Sequence, residues 1–309
     1  MCEERECVYL KKQIKIGTRG SSLALAQTNE VVAALQARFP DVEAEIVILQ
    51  TRGDKILDRL LTDFGDKGVF TAEFEDMVGN GKIDLAVHSA KDMPMELGTG
   101  LMVAGVMPRA DARDVLVTRK ESGCLLAVGT GSPRRQSQLR RLFPQAVCRG
   151  IRGNVATRLS KLRNGEYDGL VLAAAGLERL GLLGEEDLEY RFFSFDEMVP
   201  AGGQGIIAVE GRREDEISNM VRAISDSRSY YELEIERKVL GLLDAGCQEA
   251  VGAVAQCGED SVRIRLIREV NGRIFKMDET AGLPEAGELA AKMAESALAS
   301  GFSQGKASK

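Results

Sequence analysis

The sequence predicts an α/β protein built as two sheet-containing lobes with a small α+β domain after them. Three observations carry that expectation. Short apolar runs alternate with amphipathic stretches through the first two-thirds of the chain, the alternation restarts near residue 125, and after residue 225 it gives way to a period-two pattern. A chain of 309 residues has room for more than one core.

Residues 13–17 read as a strand, and Ser21 or Ser22 caps a helix reaching Arg38. Residues 43–50 read as a second strand, and Thr71 with Glu73 opens another helix. Residues 83–88 form a buried strand ending in the polar turn His88-Ser89-Ala90-Lys91-Asp92. The restart gives strands at 125–129, 147–149 and 168–173. They alternate with helices at 132–142, 154–163 and around Leu177. This alternation predicts parallel pairing. Residues 107–114, rich in Arg and Asp, and the glycine-rich 200–205 read as crossings between lobes. Then come a helix at 230–243, a meander at 251–256, 262–268 and 273–278, and a closing helix at 284–298.

Composition excludes several classes. No apolar run is long enough to span a bilayer, and the charged start MCEERECVYLKK has no apolar signal core, so a cytoplasmic protein is expected. Six cysteines without C-x-x-C spacing and a single histidine, His88, argue against a metal site. Cys124, Cys148 and Cys257 read as small buried hydrophobes and His88 as structural. Net charge is -6, with no Trp and few aromatics, which speaks against a nucleic-acid partner.

Against that acidity, residues 122–165 carry nine cations and no Asp or Glu: Arg134, Arg135, Arg140, Arg141, Arg149, Arg152, Arg158, Lys161 and Arg163. Arg suits forked recognition of carboxylate or phosphate. Three Gly/Ser turns follow strands and open helices, at 17–22, 129–135 and 150–154, where free N–H groups and Arg side chains gather. None ends in the Lys-Ser/Thr of a P-loop, so the expected ligand is a polyanion other than a nucleoside triphosphate. A carboxylate at the strand end, Asp92, reads as a proton shuttle or a stabiliser of positive charge.

The motifs then occur in one order: Thr18-Arg19-x-Ser21, Thr51-Arg52-Gly53-Asp54, Lys67-Gly68-Val69-Phe70, Ala86-Val87-His88-Ser89-Ala90-Lys91-Asp92, Gly129-Thr130-x-Ser132-x-Arg134-Arg135, Arg152-Gly153-Asn154-Val155-x-Thr157-Arg158-Leu159, Ala175-Gly176-Leu177-x-Arg179-Leu180, Gly203-Gln204-Gly205 and Gly246-Cys247-Gln248. Together, from about Ile14 to Gly252, they resemble the hydroxymethylbilane synthase (porphobilinogen deaminase) family. The chain departs from the family pattern at Ser22, Asp63, Asp66 and Gly131.

The resemblance implies two lobes like those of a periplasmic binding protein. Residues 1–107 with 204–225 form domain 1, 108–203 domain 2, and 226–309 a third domain carrying the cysteine loop. It implies a monomeric transferase of tetrapyrrole biosynthesis that joins four porphobilinogen units head to tail, losing ammonia each time. The product, hydroxymethylbilane, grows on a dipyrromethane cofactor held as a thioether by Cys247. By motif position Asp92 is the catalytic residue. Lys91, Asp92, Thr130, Ser132, Arg134, Arg135 and Arg158 bind the cofactor. Arg19, Ser21, Lys67, Arg152, Arg158 and Arg179 bind substrate, with Lys67 on a gating loop at 63–69. Arg140, Arg141, Lys161 and Arg163 are expected on solvated helix faces.

Overall fold

Three separate sheets organise the chain in a computed structural model that describes residues 12–49, 72–120, 123–245 and 249–302. In the first sheet, β1 (Lys12–Arg19) lies between β2 (Val42–Leu49) and β3 (Leu85–Ser89), parallel to both. The odd-even alternation of β1 points Ile14 and Ile16 into the core, and α1 (Ser22–Arg38) closes over them with Val31 and Leu35. Ser21 caps that helix, its Oγ accepting the Ala24 N–H at 3.2 Å. On the other face α2 (Ala72–Gly79) buries Phe74 and Val78 against Ile83 and Ala86.

The sheet continues through a strand from much later in the chain. β10 (Ile207–Arg212) runs antiparallel between β3 and β4 (Leu101–Val106), and α6 (Glu216–Ile224) follows it. The second sheet has the order β7 (Val147–Arg149), β6 (Ala127–Gly129), β8 (Gly169–Ala173), β5 (Asp114–Arg119), β9 (Leu188–Phe192). Its helices are α3 (Pro133–Leu142), α4 (Val155–Arg163) and α5 (Ala174–Arg179).

Purely parallel pairing is therefore corrected. β5 pairs antiparallel with β8 and β9, as β10 does with β3 and β4. Both strands enter a sheet directly from a crossing between lobes. No helix turns the chain back beforehand, so they meet their neighbours head to tail. β4, β5, β9, β10 and α6 are also additions to the elements read from the sequence.

The third sheet is the expected antiparallel meander of β11 (Val251–Cys257), β12 (Ser261–Val270) and β13 (Arg273–Gly282), covered by α7 (Ser227–Leu242) and α8 (Ala286–Phe302). It is anchored at the crossings. Arg109, on the first crossing, donates through Nη1 to Glu236 Oε1 on α7 at 2.6 Å and through Nε to the Gln204 carbonyl at 3.0 Å. Glu236, fully buried, also accepts the N–H groups of Gly203 at 2.6 Å and Ala255 at 2.8 Å. One carboxylate thus ties both crossings to the third domain. Glu236→Gln keeps an acceptor for the backbone, and Glu232 stays 3.3 Å from Arg109. We expect it to destabilise by about 1–3 kcal/mol, seen as a lowered denaturant midpoint; an unchanged midpoint would show that the joint carries no stability.

Candidate active site

The turns that leave the carboxyl ends of β1, β3, β6, β7 and β8 supply the side chains singled out in the sequence, the arrangement open α/β sheets use to hold ligands. From β1 come Arg19, half-buried, and Ser21. From β3 comes a single 3-10 turn, Ala90–Asp92, that leaves Lys91 half-buried and Asp92 exposed. A cavity of about 90 Å³ is lined by Arg19, Ser21, Gln27, His88, Ser89 and Asp92, which brings three of the expected residues together. Gln27, buried on α1, braces it by donating to Ser89 Oγ at 2.9 Å.

On the second lobe, Thr130 follows β6 and is buried, its Oγ1 accepting the Ser132 N–H at 3.2 Å. Ser132 caps α3 and Pro133 opens its first turn, so Arg134 and Arg135 leave a helix N-terminus. Both arginines are almost fully buried and converge on Asp114, the first residue of β5. Arg134 Nη1 donates to Asp114 Oδ2 at 2.7 Å and to the Val199 carbonyl at 2.8 Å. Arg135 donates to Asp114 Oδ1 through Nε at 3.0 Å and Nη2 at 2.7 Å, and to the Val171 carbonyl at 2.9 Å. Burial pushes the Asp114 carboxyl up, but Arg134 and Arg135 outweigh it and hold it well below the usual carboxylate range.

Asn154 caps α4, and Arg158 lies one turn inside it, half-buried, with Nε donating to the Gly153 carbonyl at 2.8 Å. Burial lowers the Arg158 pKa, and Arg135 adds to that while Asp92 opposes it. Lys91 shows the same balance. Burial lowers its ammonium pKa first, Asp92 and Asp114 oppose, and Arg135 and Arg134 push it down further. Lys91 and Asp92 of one lobe therefore share an electrostatic field with Arg134, Arg135 and Arg158 of the other.

One expected residue stands elsewhere. Arg179 is a brace between α5, α1 and the second crossing: Nε donates to Glu30 at 3.0 Å and Nη2 to the Gly205 carbonyl at 3.1 Å, with only 7% of the side chain exposed. Arg152 is half-buried on the turn after β7. Cys247, Lys67 and the 63–69 loop lie outside the described residues.

A segment free of acid in sequence is not free of acid in space. Asp114 serves Arg134 and Arg135, Glu269 binds Arg140 at 2.8 Å, and Glu185 and Asp187 bind Arg163 at 2.7 and 2.6 Å. Arg140 and Arg163 are exposed, as expected of solvated faces, yet paired. Cys257 is buried, whereas Cys124 is exposed and Cys148 half-buried, which corrects their reading as core residues. His88 is buried, with Nε2 at 2.8 Å from Glu210 Oε2 and its ring edge-on to Phe74. Asp114 itself was not singled out in the sequence. Its signal is an acid directly heading the apolar run Val115-Leu116-Val117.

Among the described residues no helix is long and apolar enough to cross a membrane, and no cluster of three or more His, Cys, Asp or Glu could hold a metal.

Fold and site together define a two-lobed α/β protein, crossed twice by its chain, whose sheet ends gather cations around one exposed carboxylate. Residues 14–219 match the family model "Porphobilinogen deaminase, dipyromethane cofactor binding domain". The porphobilinogen deaminase of Roseiflexus castenholzii is 40% identical over 301 residues, 94% of this chain and 98% of that protein. Those of Roseiflexus sp. (strain RS-1) and Syntrophomonas wolfei are 44% and 39% identical, over 86% and 94% of this chain and 89% and 96% of theirs. The chain belongs to the porphobilinogen deaminase family. Among solved structures, the periplasmic VFT2 domain of Bordetella pertussis BvgS overlaps 69% of this chain and 86% of its own, at TM-score 0.42 and 16% identity.

Proposed function

We propose that this chain is a hydroxymethylbilane synthase that adds four porphobilinogen units head to tail to a dipyrromethane primer bound as a thioether to Cys247. The observation that carries the reading is the gathering of Arg134, Arg135 and Arg158 of the second lobe about the turn of the first that bears Lys91 and Asp92. Each pyrrole bears an acetate and a propionate, so a growing chain is a polycarboxylate. Charge-assisted bonds contribute roughly 1.5–3 kcal/mol each where shielded from water.

The donor set suits a dipyrromethane. Arg134 and Arg135 share one carboxylate, which leaves a positive charge over for a ligand, with Lys91 and Arg158 beside it. Ser132 accepts the Arg135 N–H and keeps its own O–H to donate, and Ser21 does the same on α1. When bound, the primer supplies a free pyrrole α-carbon for the first addition. Supporting Cys247 as its anchor, Gly252 lies so close to the site that a Cβ there would be 3.1 Å from Arg134 Cδ, and Cys247 precedes it by five residues.

In each addition the C–N bond of porphobilinogen breaks, ammonia leaves, and a C–C bond forms as the acceptor ring gives up its α-proton. The Asp92 side chain accepts the pyrrole N–H of the substrate and opposes the positive charge that develops as ammonia departs. Arg19, Ser21, Arg152 and Arg158 hold substrate carboxylates, Arg179 braces the second crossing against α1, and Lys67 gates the cleft. The working unit is a cytoplasmic monomer with domains at 1–107 with 204–225, 108–203 and 226–309, and needs no nucleic acid.

Intact-mass measurement tests the reading. Protein purified after exposure to porphobilinogen should carry two covalent pyrrole units, and Cys247→Ser should carry none and lack turnover. An unmodified wild type that still folds would leave a non-enzymatic carboxylate-binding protein as the better account.

A further inference from the structure

We propose that Gln204 is a positioning residue: its side-chain amide, fixed on the second crossing, holds the Asp114 carboxylate on which Arg134 and Arg135 are aligned, so the crossing sets the grip on the polyanion. The inference rests on the function proposed above. Gln204 is fully buried. Its Nε2 donates to Asp114 Oδ1 at 3.1 Å and to the Ala112 carbonyl at 2.8 Å, and its own carbonyl accepts from Arg109 Nε at 3.0 Å.

The amide orientation follows from chemistry. Both partners of Nε2 are acceptors, so the NH₂ group must face them and both its hydrogens are used. Gln204 Oε1 is left buried, with no hydrogen-bond partner among the described residues. Such an orphan is tolerated where the opposite end of the group matters more. Glu there would place an oxygen against two oxygens.

The glycines on either side show why the crossing holds Gln204 rigidly. Gly203 has φ +74°, and a Cβ on it would lie 2.9 Å from the Lys91 nitrogen. Gly205 has φ +89°, and its Cβ would lie 2.5 Å from the Ala110 carbonyl oxygen. Both positions combine left-handed backbone with a close approach, so only glycine fits. The Ile206 carbonyl accepts the Ala90 N–H at 3.0 Å, on the turn that carries Lys91 and Asp92. Within four residues the crossing therefore touches the Asp92 turn on one side and the arginine clamp on the other. Gln204 is the side chain through which that crossing reaches the clamp.

Gln204→Met keeps the length and removes both donors, and Gln204→Glu keeps the shape and reverses the donors. In each, apoprotein should take up the covalent primer from porphobilinogen about tenfold more slowly by intact mass, the loss of one hydrogen bond to a charged group. The loaded enzyme should show KM for porphobilinogen raised about tenfold with kcat within about twofold. A role in stability alone would lower the melting temperature and leave that split unmoved. In an Asp114→Asn background the Gln204→Met effect on KM should shrink below about twofold, since both act through one clamp. Unchanged uptake and KM, or an undiminished effect in the Asp114→Asn background, would overturn the proposal. If Gln204→Met does not fold, Gln204→Glu decides by the same measures. A wild type that takes up no primer overturns the proposed function itself, and this inference with it.

Discussion

Asp92→Asn should lower turnover of porphobilinogen by about 10²–10³-fold while the protein stays folded and loaded. Asp92 is exposed at the end of a 3-10 turn, so replacing its carboxylate with an amide opens no cavity in the core. What is lost is a fixed negative charge aimed where positive charge develops, the counterpart of an oxyanion-hole donor, whose removal costs about 2.7–4 kcal/mol. Intact mass should show protein stalled with bound pyrroles. The pH profile gives a second readout. Asp92 raises the pKa of Lys91, which burial lowers. Asn at 92 removes that support, so Lys91 loses its proton at lower pH and the alkaline limb of activity should move toward acid. Turnover at wild-type rate would remove Asp92 from the chemistry, whatever the pH profile.

The parts of this molecule legible in the sequence are those fixed by near neighbours in the chain. Ser21 at the start of α1 and Ser132-Pro133 at the start of α3 are local signals, and both caps form where the sequence places them. The meander of β11, β12 and β13 follows from period-two alternation joined by short turns. Direction is different. That β10 enters the first sheet antiparallel between β3 and β4 depends on a chain that has left for the other lobe and returned, which no local pattern encodes.

The site divides along the same line. Arg134, Arg135 and Arg158 stand out because cations gather in one window, and Lys91 and Asp92 because they end an apolar strand. Asp114 stays hidden because its partners are 20 and 21 residues away and its own neighbours look like an ordinary strand. A charge count along the chain finds the cations and misses the carboxylates folding brings to them.

That missing acid carries the largest stability effect expected in the cleft. Asp114→Ala should destabilise the apoprotein by about 3–5 kcal/mol, because it strands two buried guanidiniums against each other. For a chain of this size that is a fall in melting temperature of roughly 10 °C. The pH dependence follows from the sign of the shift. Arg134 and Arg135 depress the Asp114 pKa in the fold, so its contribution is fully present above the unfolded carboxyl value near ~3.9 and is lost only as pH falls through the depressed one. The gap between wild type and Asp114→Ala should therefore be flat from about pH 5 to 8 and close only in strong acid. Denaturant unfolding at both pH values checks it, and a gap under about 1 kcal/mol would mean the two arginines find other compensation. Added citrate should narrow the gap, since an anion can occupy the position the carboxylate leaves and stabilises whichever form binds it more tightly. The same logic explains why the clamp has one acid for two bases: a second carboxylate would make the fold more stable and leave the polyanion nothing to neutralise.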